Sequence, residues 1–223
     1  MLSTKYINYV FDEKIEIKTG SPIFENCIFE KGVVIQGSNK DKERNPSPVF
    51  KFCTFYQFDA PSVYLDCRAQ GEFYGCTVSS QRFLAVRIDI DSCGLFRDCT
   101  IRNGVAILCE SSGKFENCRF CGIEQDEVSV PKGLVCLDAN DGKNTFFSRC
   151  TFAVSEKEMP LDYSCVSGWG SLSFDKCSFF GPKEVLFDKN RGVNHEFNDC
   201  KFNCSGMETY KKNPLFFRGK TTY

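Results

Sequence analysis

Phe115-Glu116-Asn117-Cys118-Arg119-Phe120 is one of eight segments of the form Phe-x-x-Cys-x-apolar, and this recurrence decides the fold. The others begin at Phe24, Phe50, Phe73, Phe96, Phe147, Phe174 and Phe197, with cysteines at Cys27, Cys53, Cys76, Cys99, Cys150, Cys177 and Cys200. Taken in order with Cys118, the cysteines lie 26, 23, 23, 19, 32, 27 and 23 residues apart. That period belongs to solenoids rather than to compact globular folds. Cys118 and Phe120 alternate as strand neighbours do, so they share a face. Phe115 and Cys118 are three apart, and both can point inward only if the chain turns a corner at Glu116-Asn117. The residue before each cysteine is Asn26, Phe52, Gly75, Asp98, Asn117, Arg149, Lys176 or Asp199. Five of these are Asn, Asp or Gly, the types that tolerate positive φ, so the corner is expected in the left-handed region.

Upstream of each such segment an aliphatic strand is expected, with inward residues such as Val33/Ile35, Val63/Leu65/Cys67, Val86/Ile88/Ile90, Val105/Ile107/Cys109 and Val135/Leu137/Ala139, then Val185/Phe187 and Leu215/Phe217. Gly37, Gly71, Gly94, Gly113, Gly142, Gly168 and Gly192 follow and are expected to mark a second bend. Each coil then has three short strands and three turns. With about 23 residues per coil, the coils stack as parallel strands about 4.8 Å apart, Phe on Phe and Cys on Cys. The fold class expected is all-β, a three-sided right-handed parallel β-helix of about eight to nine coils. Residues 1–223 form one domain in this reading, with residues 1–20 as an N-terminal capping coil and 21–223 as repeat coils.

Composition narrows the function. The chain has 28 basic and 29 acidic side chains, which gives no electrostatic footprint for nucleic acid or an anionic membrane. The first residues carry Lys5, Asp12, Glu13 and Lys14 without an apolar core, so no cleaved signal is expected. Fifteen cysteines, an odd number with eight at one repeat position, read as reduced thiols of a cytoplasmic protein. Secretion by a route without a cleaved signal stays open.

The Phe-x-Asn-Cys-x-Phe form, the coil length and the Asn-type corner resemble the right-handed parallel β-helix repeat of the pectate-lyase-like superfamily. The resemblance implies that Phe115 ends the second strand of a coil, Asn117 makes the tight turn and Cys118 opens the third strand. It also implies that the insertions at residues 121–132, 153–162 and 203–214 project from one edge. These lead into the strand whose outer face carries the site in members that act on polysaccharide. The superfamily includes lyases, hydrolases, adhesins and scaffolds, so it does not fix an activity.

On that strand the outward positions fall in columns: Tyr64 and Arg87; then Asp66, Asp89, Asp138 and Asp188; then Arg68, Asp91, Glu110 and Asn140. Asp66 and Asp89 are expected to be neighbours across one coil step, the separation of a retaining glycosidase pair. Asp66, Asp89 and Asp91 are therefore the catalytic candidates. The same acids with Glu110 can form an oxygen shell for calcium, or simply a solvated face neutralised by Arg68 and Arg87. The polygalacturonase-type signatures Asn-Thr-Asp, Asp-Asp, Gly-His-Gly and Arg-Ile-Lys are absent, and the one histidine, His195, reads as a turn residue. Acidic calcium ligands with a basic residue, as in pectate lyases, are matched only loosely by Asp66, Asp89, Asp91 and Arg87. Cys118 and Cys121 have metal-type spacing but opposite parity, so no metal site is expected. Trp169, between two glycines, is placed at a coil corner where it can stack on a ligand.

The expected function is a non-catalytic scaffold that binds a protein or an oligosaccharide through one loop edge and a charged strand face. A carbohydrate-active lyase or hydrolase is the first alternative. A structural protein that oligomerises through its coil ends is the second.

Overall fold

The computed structural model describes residues 4–38, 45–122, 133–138, 145–153, 164–169, 172–181, 196–204 and 221–222. These form three sheets in which every strand pairing is parallel. A glycine–phenylalanine sheet has nine strands and a cysteine–phenylalanine sheet ten, while an aliphatic sheet has seven. One turn of the chain runs through Val105–Leu108 of the aliphatic sheet, Ser112–Glu116 of the glycine–phenylalanine sheet and Arg119–Cys121 of the cysteine–phenylalanine sheet. Among the described residues nine coils are seen, seven of them with a strand in each sheet, the first at Lys5–Ile7, Val10–Phe11 and Ile15–Ile17.

The corner before each cysteine has φ between 50° and 61° in all eight repeats. Phe52, Arg149 and Lys176 adopt it as well as the Asn, Asp and Gly residues. Left-handed backbone costs a non-glycine residue of order 1–3 kcal/mol. The cost is offset because the corner amide pairs with the next coil, as Asn117 N does with Ser148 O at 2.8 Å. The cysteine behind the corner does more than fill space. Its thiol donates to the carbonyl two residues back and to the phenylalanine carbonyl of the preceding coil: Cys99 to Arg97 O at 3.3 Å and Phe73 O at 3.4 Å, Cys118 to Glu116 O and Phe96 O at 3.4 Å. A small, buried, weakly donating side chain suits that position.

Inside, one aromatic column runs from Tyr6 through Phe24, Phe50, Phe73, Phe96, Phe115, Phe147 and Phe174 to Phe197, with centroids 4.5–5.1 Å apart and nearly parallel rings. A second column, with Phe29 and Phe55 at one end and Phe120, Phe152 and Phe179 further on, is interrupted by Val78 and Ile101. Where the second column is complete, its rings meet the first edge-on, as Phe120 meets Phe115 at 5.4 Å.

Two expectations are corrected. Gly71, Gly94 and Gly113 do not bend the chain; they lie in strands, in register with one another, facing inward. A side chain there would strike the phenylalanine two residues on, 3.0, 2.7 and 2.5 Å from its Cε2. Gly168 likewise lies within the strand Ser164–Trp169, opposite Leu137. The bend falls instead at paired left-handed residues: Cys67-Arg68, Ile90-Asp91 and Cys109-Glu110, with φ of 45–67°. Cys67, Ile90 and Cys109 are therefore not inward residues, and Ile90 and Cys109 are exposed. Ala139, Asn140, Gly142, Val185, Phe187, Asp188, Gly192, His195, Leu215 and Phe217, with most of the three insertions, lie outside the described residues.

Candidate functional site

The aliphatic sheet brings four of the expected residues together. Val63, Val86 and Val105 stack in register, as do Leu65, Ile88 and Ile107, so the residues between them point outward. Arg87 stands opposite Tyr64, its guanidinium 5.2 Å from the ring centroid, and Ala106 follows on the next coil. Asp89 N donates to Leu65 O at 2.9 Å, which sets Asp89 one coil step after Asp66. Arg87 donates two hydrogen bonds to Oδ2 of Asp89, the one from Nε at 3.1 Å, and Ile90 N donates to Oδ1 at 3.0 Å.

Asp89 is only 4% exposed. Burial pushes its carboxyl up, but the Arg87 guanidinium, the Cys109 thiol and the Ile90 amide outweigh burial and hold it below the usual aspartate range. A carboxylate fixed in this way stays ionised and is unsuited to be a general acid. Asp66 is different: its Oδ1 is buried with no hydrogen-bond partner among the described residues. The Tyr64 phenol is raised, first by burial and then by the charge of Asp66, with Arg87 opposing.

At the adjoining corner Arg68 Nε lies 3.4 Å from Asp91 Oδ2, and Glu110 occupies the equivalent position one coil on. The Arg68–Asp91 pair is partly solvated and contributes about 0–1 kcal/mol. Asp138 does not continue the carboxylate column directly. Leu108 stands opposite it on the preceding coil, between Asp89 and Asp138. Trp169 ends a strand opposite Asp138 rather than sitting at a corner. Among the described residues no three His, Cys, Asp or Glu side chains come together in a way that could hold a metal ion.

A second cluster lies at the turn from the cysteine–phenylalanine sheet to the aliphatic sheet. Phe58 and Phe83 are 43% and 46% exposed there, and Tyr56, on the adjoining strand Thr54–Gln57, is 42% exposed. The Arg82 guanidinium lies 4.7 Å from the Phe58 centroid and 3.3 Å from Asp59 Oδ1. The ladder carries on beyond the strands, Gln81 N to Gln57 O and Arg82 N to Phe58 O, each at 3.0 Å. Beneath it, buried polar groups set the turn. Asn103, with φ of 75°, donates from Nδ2 to Phe83 O at 2.7 Å and Ser80 O at 3.3 Å, while Ser80 Oγ donates to Ala60 O at 2.9 Å. Ser62 Oγ donates to Ser79 O. These bonds satisfy the turn's carbonyls and fix the backbone from which Phe58, Arg82 and Phe83 project. The arrangement offers flat apolar rings flanked by one cation, one carboxylate and two amides. It can stack and hydrogen-bond.

Sequence reasoning pointed to this edge through its insertions and passed over these residues. The signal was present: Phe58 and Phe83 fall outside the repeating frame, so the core does not call for them.

Residues 31–221 match the family model described as a right handed beta helix region. No curated protein matches the chain, and no solved structure does.

Proposed function

We propose, on the premise that the chain belongs to the right-handed β-helix family, that it is a non-catalytic recognition scaffold whose loop edge binds a protein or glycan partner. The observation that carries this reading is the pair of large aromatic side chains Phe58 and Phe83, each more than two-fifths exposed, on a turn held by buried hydrogen bonds, with Tyr56 equally exposed on the adjoining strand. Rigid aromatics with an adjacent arginine are the residue types that dominate binding energy at interfaces, because they desolvate well and lose little entropy. Both carboxylate oxygens of Asp89 are engaged, Oδ2 by Arg87 and Oδ1 by Ile90 N, which speaks against its acting as nucleophile or base beside Asp66.

The test is a Phe58→Ala/Phe83→Ala variant against panels of oligosaccharides and of acidic and basic peptides, beside Asp89→Asn. Truncating two interface anchors costs of order 2 kcal/mol or more, so affinity is expected to fall about 30-fold or further. Asp89→Asn is expected to leave binding unchanged. Binding that survives the double variant and is lost in Asp89→Asn would overturn the reading. The carbohydrate-active alternative has one observation in its favour, the unpartnered buried oxygen of Asp66 beside Asp89. Product release from an oligosaccharide, abolished in Asp66→Asn, would establish it.

A further inference from the structure

Charge is shared unequally among the three faces. The glycine–phenylalanine sheet carries Glu25, Glu72, Glu116, Asp175 and Glu196, and three of its four cations are engaged: Lys5 with Glu25 at 2.8 Å, Arg97 with Glu116 at 2.6 Å, Lys114 with Glu116 at 2.8 Å, while the fourth, Lys51, stands opposite Glu25 in the ladder and makes no ion pair among the described residues. On the aliphatic sheet Arg87 is bound to Asp89. The ten strands of the cysteine–phenylalanine sheet contain no Asp or Glu at all, yet they hold Arg102, Arg119 and Lys201, all exposed. None of these three makes an ion pair among the described residues. The whole chain has a net charge of −1, so the surplus on this face is segregation and not composition.

The cations are also arranged. Arg119 stands opposite Thr100, and Arg102 opposite Cys121, which makes the two arginines diagonal neighbours on adjacent coils. Like charges so placed repel, and an anion between them relieves the repulsion. Lys201 follows in the column of Arg119, past Thr151 and Ser178, three coil steps or about 14 Å along the face. Before Arg119 the same column holds Thr54, Thr77 and Thr100, neutral hydroxyls that donate to an anion without opposing it. Apolar groups lie towards the two ends: Val10 and Ile28 near the first coil and Phe180 near the eighth, with Tyr56 leading to the edge cluster.

We propose that this face is a docking surface for an acidic segment of another protein. The inference deepens the scaffold reading above and rests on it. Charge complementarity selects an anionic partner. The exposed aliphatic and aromatic positions select a polypeptide over a glycan, because Val10 and Ile28 gain by burial against apolar side chains and a sugar chain supplies few. Glutamate or aspartate side chains pair with Arg102, Arg119 and Lys201, and apolar side chains cover Ile28, Phe180 and the Phe58–Phe83 edge.

The experiment uses the full chain and a fluorescent random copolymer of glutamate and tyrosine, with poly-glutamate, polygalacturonate and oligo-dT as comparison probes. Saturable binding of the copolymer is expected, weakening as salt rises from about 0.05 M to about 0.2 M. Arg102→Glu/Arg119→Glu is expected to weaken it at least 10-fold, and Lys51→Glu, on the glycine–phenylalanine face, to leave it unchanged. Both arginines are exposed, and an unaltered thermal midpoint shows that the variant is folded. Tighter binding of polygalacturonate or oligo-dT than of the copolymer overturns the inference, as does absence of copolymer binding. Loss in Phe58→Ala/Phe83→Ala with no effect of Arg102→Glu/Arg119→Glu overturns it while leaving the edge reading standing. The reverse pattern supports the face and removes the edge.

Discussion

Gly113→Ala sets two physical effects against each other, and the structure says which wins. The φ of Gly113 lies outside the left-handed range, so alanine suits the backbone there. On that ground alone the substitution stabilises by about 0.4–1 kcal/mol, through the lost entropy of the unfolded chain. The added methyl, however, sits 2.5 Å from Cε2 and 2.9 Å from Cζ of Phe115. That ring cannot swing away, because Phe96 stacks on it at 5.0 Å, Phe147 at 4.8 Å, and Phe120 meets it edge-on at 5.4 Å. Overpacking of this kind costs about 1–3 kcal/mol, so the net expectation is a loss of roughly 1–2 kcal/mol. Urea unfolding followed by circular dichroism should show a lower midpoint for Gly113→Ala. In a Phe115→Leu background the clash is relieved, and the same substitution should be neutral or stabilising, a coupling of about 1 kcal/mol or more. A raised midpoint in the wild-type background, or an equal loss in both backgrounds, would refute the reciprocal fit of glycine and ring.

The Asp89 carboxyl is held below its ordinary value in the folded protein, so its contribution to stability is present at neutral pH and is lost as pH falls through the lowered value. Asp89→Asn should therefore destabilise the protein at pH 7, by about 1–3 kcal/mol, and the gap to wild type should close on acidification below about pH 4. A gap independent of pH would mean that the lost packing, not the charge, sets the cost. Among the thirteen cysteines whose side chains are described, a thiol reagent should modify Cys93 and Cys109 first, because both are exposed. The eight ladder cysteines, each at most 2% exposed, should react only on unfolding; mass spectrometry of partially labelled protein distinguishes the two sets.

The architecture was legible because a stacked coil repeats the same packing problem. Phe115, Cys118 and Phe120 are spaced as a corner and a strand require, and eight copies make chance coincidence untenable. The left-handed corner was legible for Asn117 and Asp98 from residue type. At Phe52 and Lys176 it followed only from position, since the neighbouring coils impose the geometry. The glycines were misread because composition alone does not separate two uses of glycine, freedom of φ and absence of a side chain. Gly94 and Gly113 serve the second, a fact that depends on where a ring two residues away comes to rest. Tyr64, Arg87, Asp66 and Asp89 were brought together as their alternation implied. The break at Leu108 was not apparent, because the acidic columns were assembled past that coil.

A repeat of this kind leaves outward positions as the places where function can be written. Inward residues answer to the column above and below, and corner residues answer to the ladder; neither can change without cost to the adjacent coils. Outward residues meet only a lateral neighbour and solvent. Where outward charges find partners within the sheet, as Arg97 does with Glu116 and Arg87 with Asp89, the face is electrostatically closed, and little is gained by bringing another charge to it. Where they do not, as at Arg102 and Arg119, the unspent attraction is available to something else. The same logic applies to aromatics. Phe115 belongs to the column, while Phe58 and Phe83 lie outside the frame and keep their surface exposed to water at a cost the core does not recover. On a solenoid, then, departures from the repeat are the residues to mutate first, and here they converge on the cysteine–phenylalanine face and the turn at its edge.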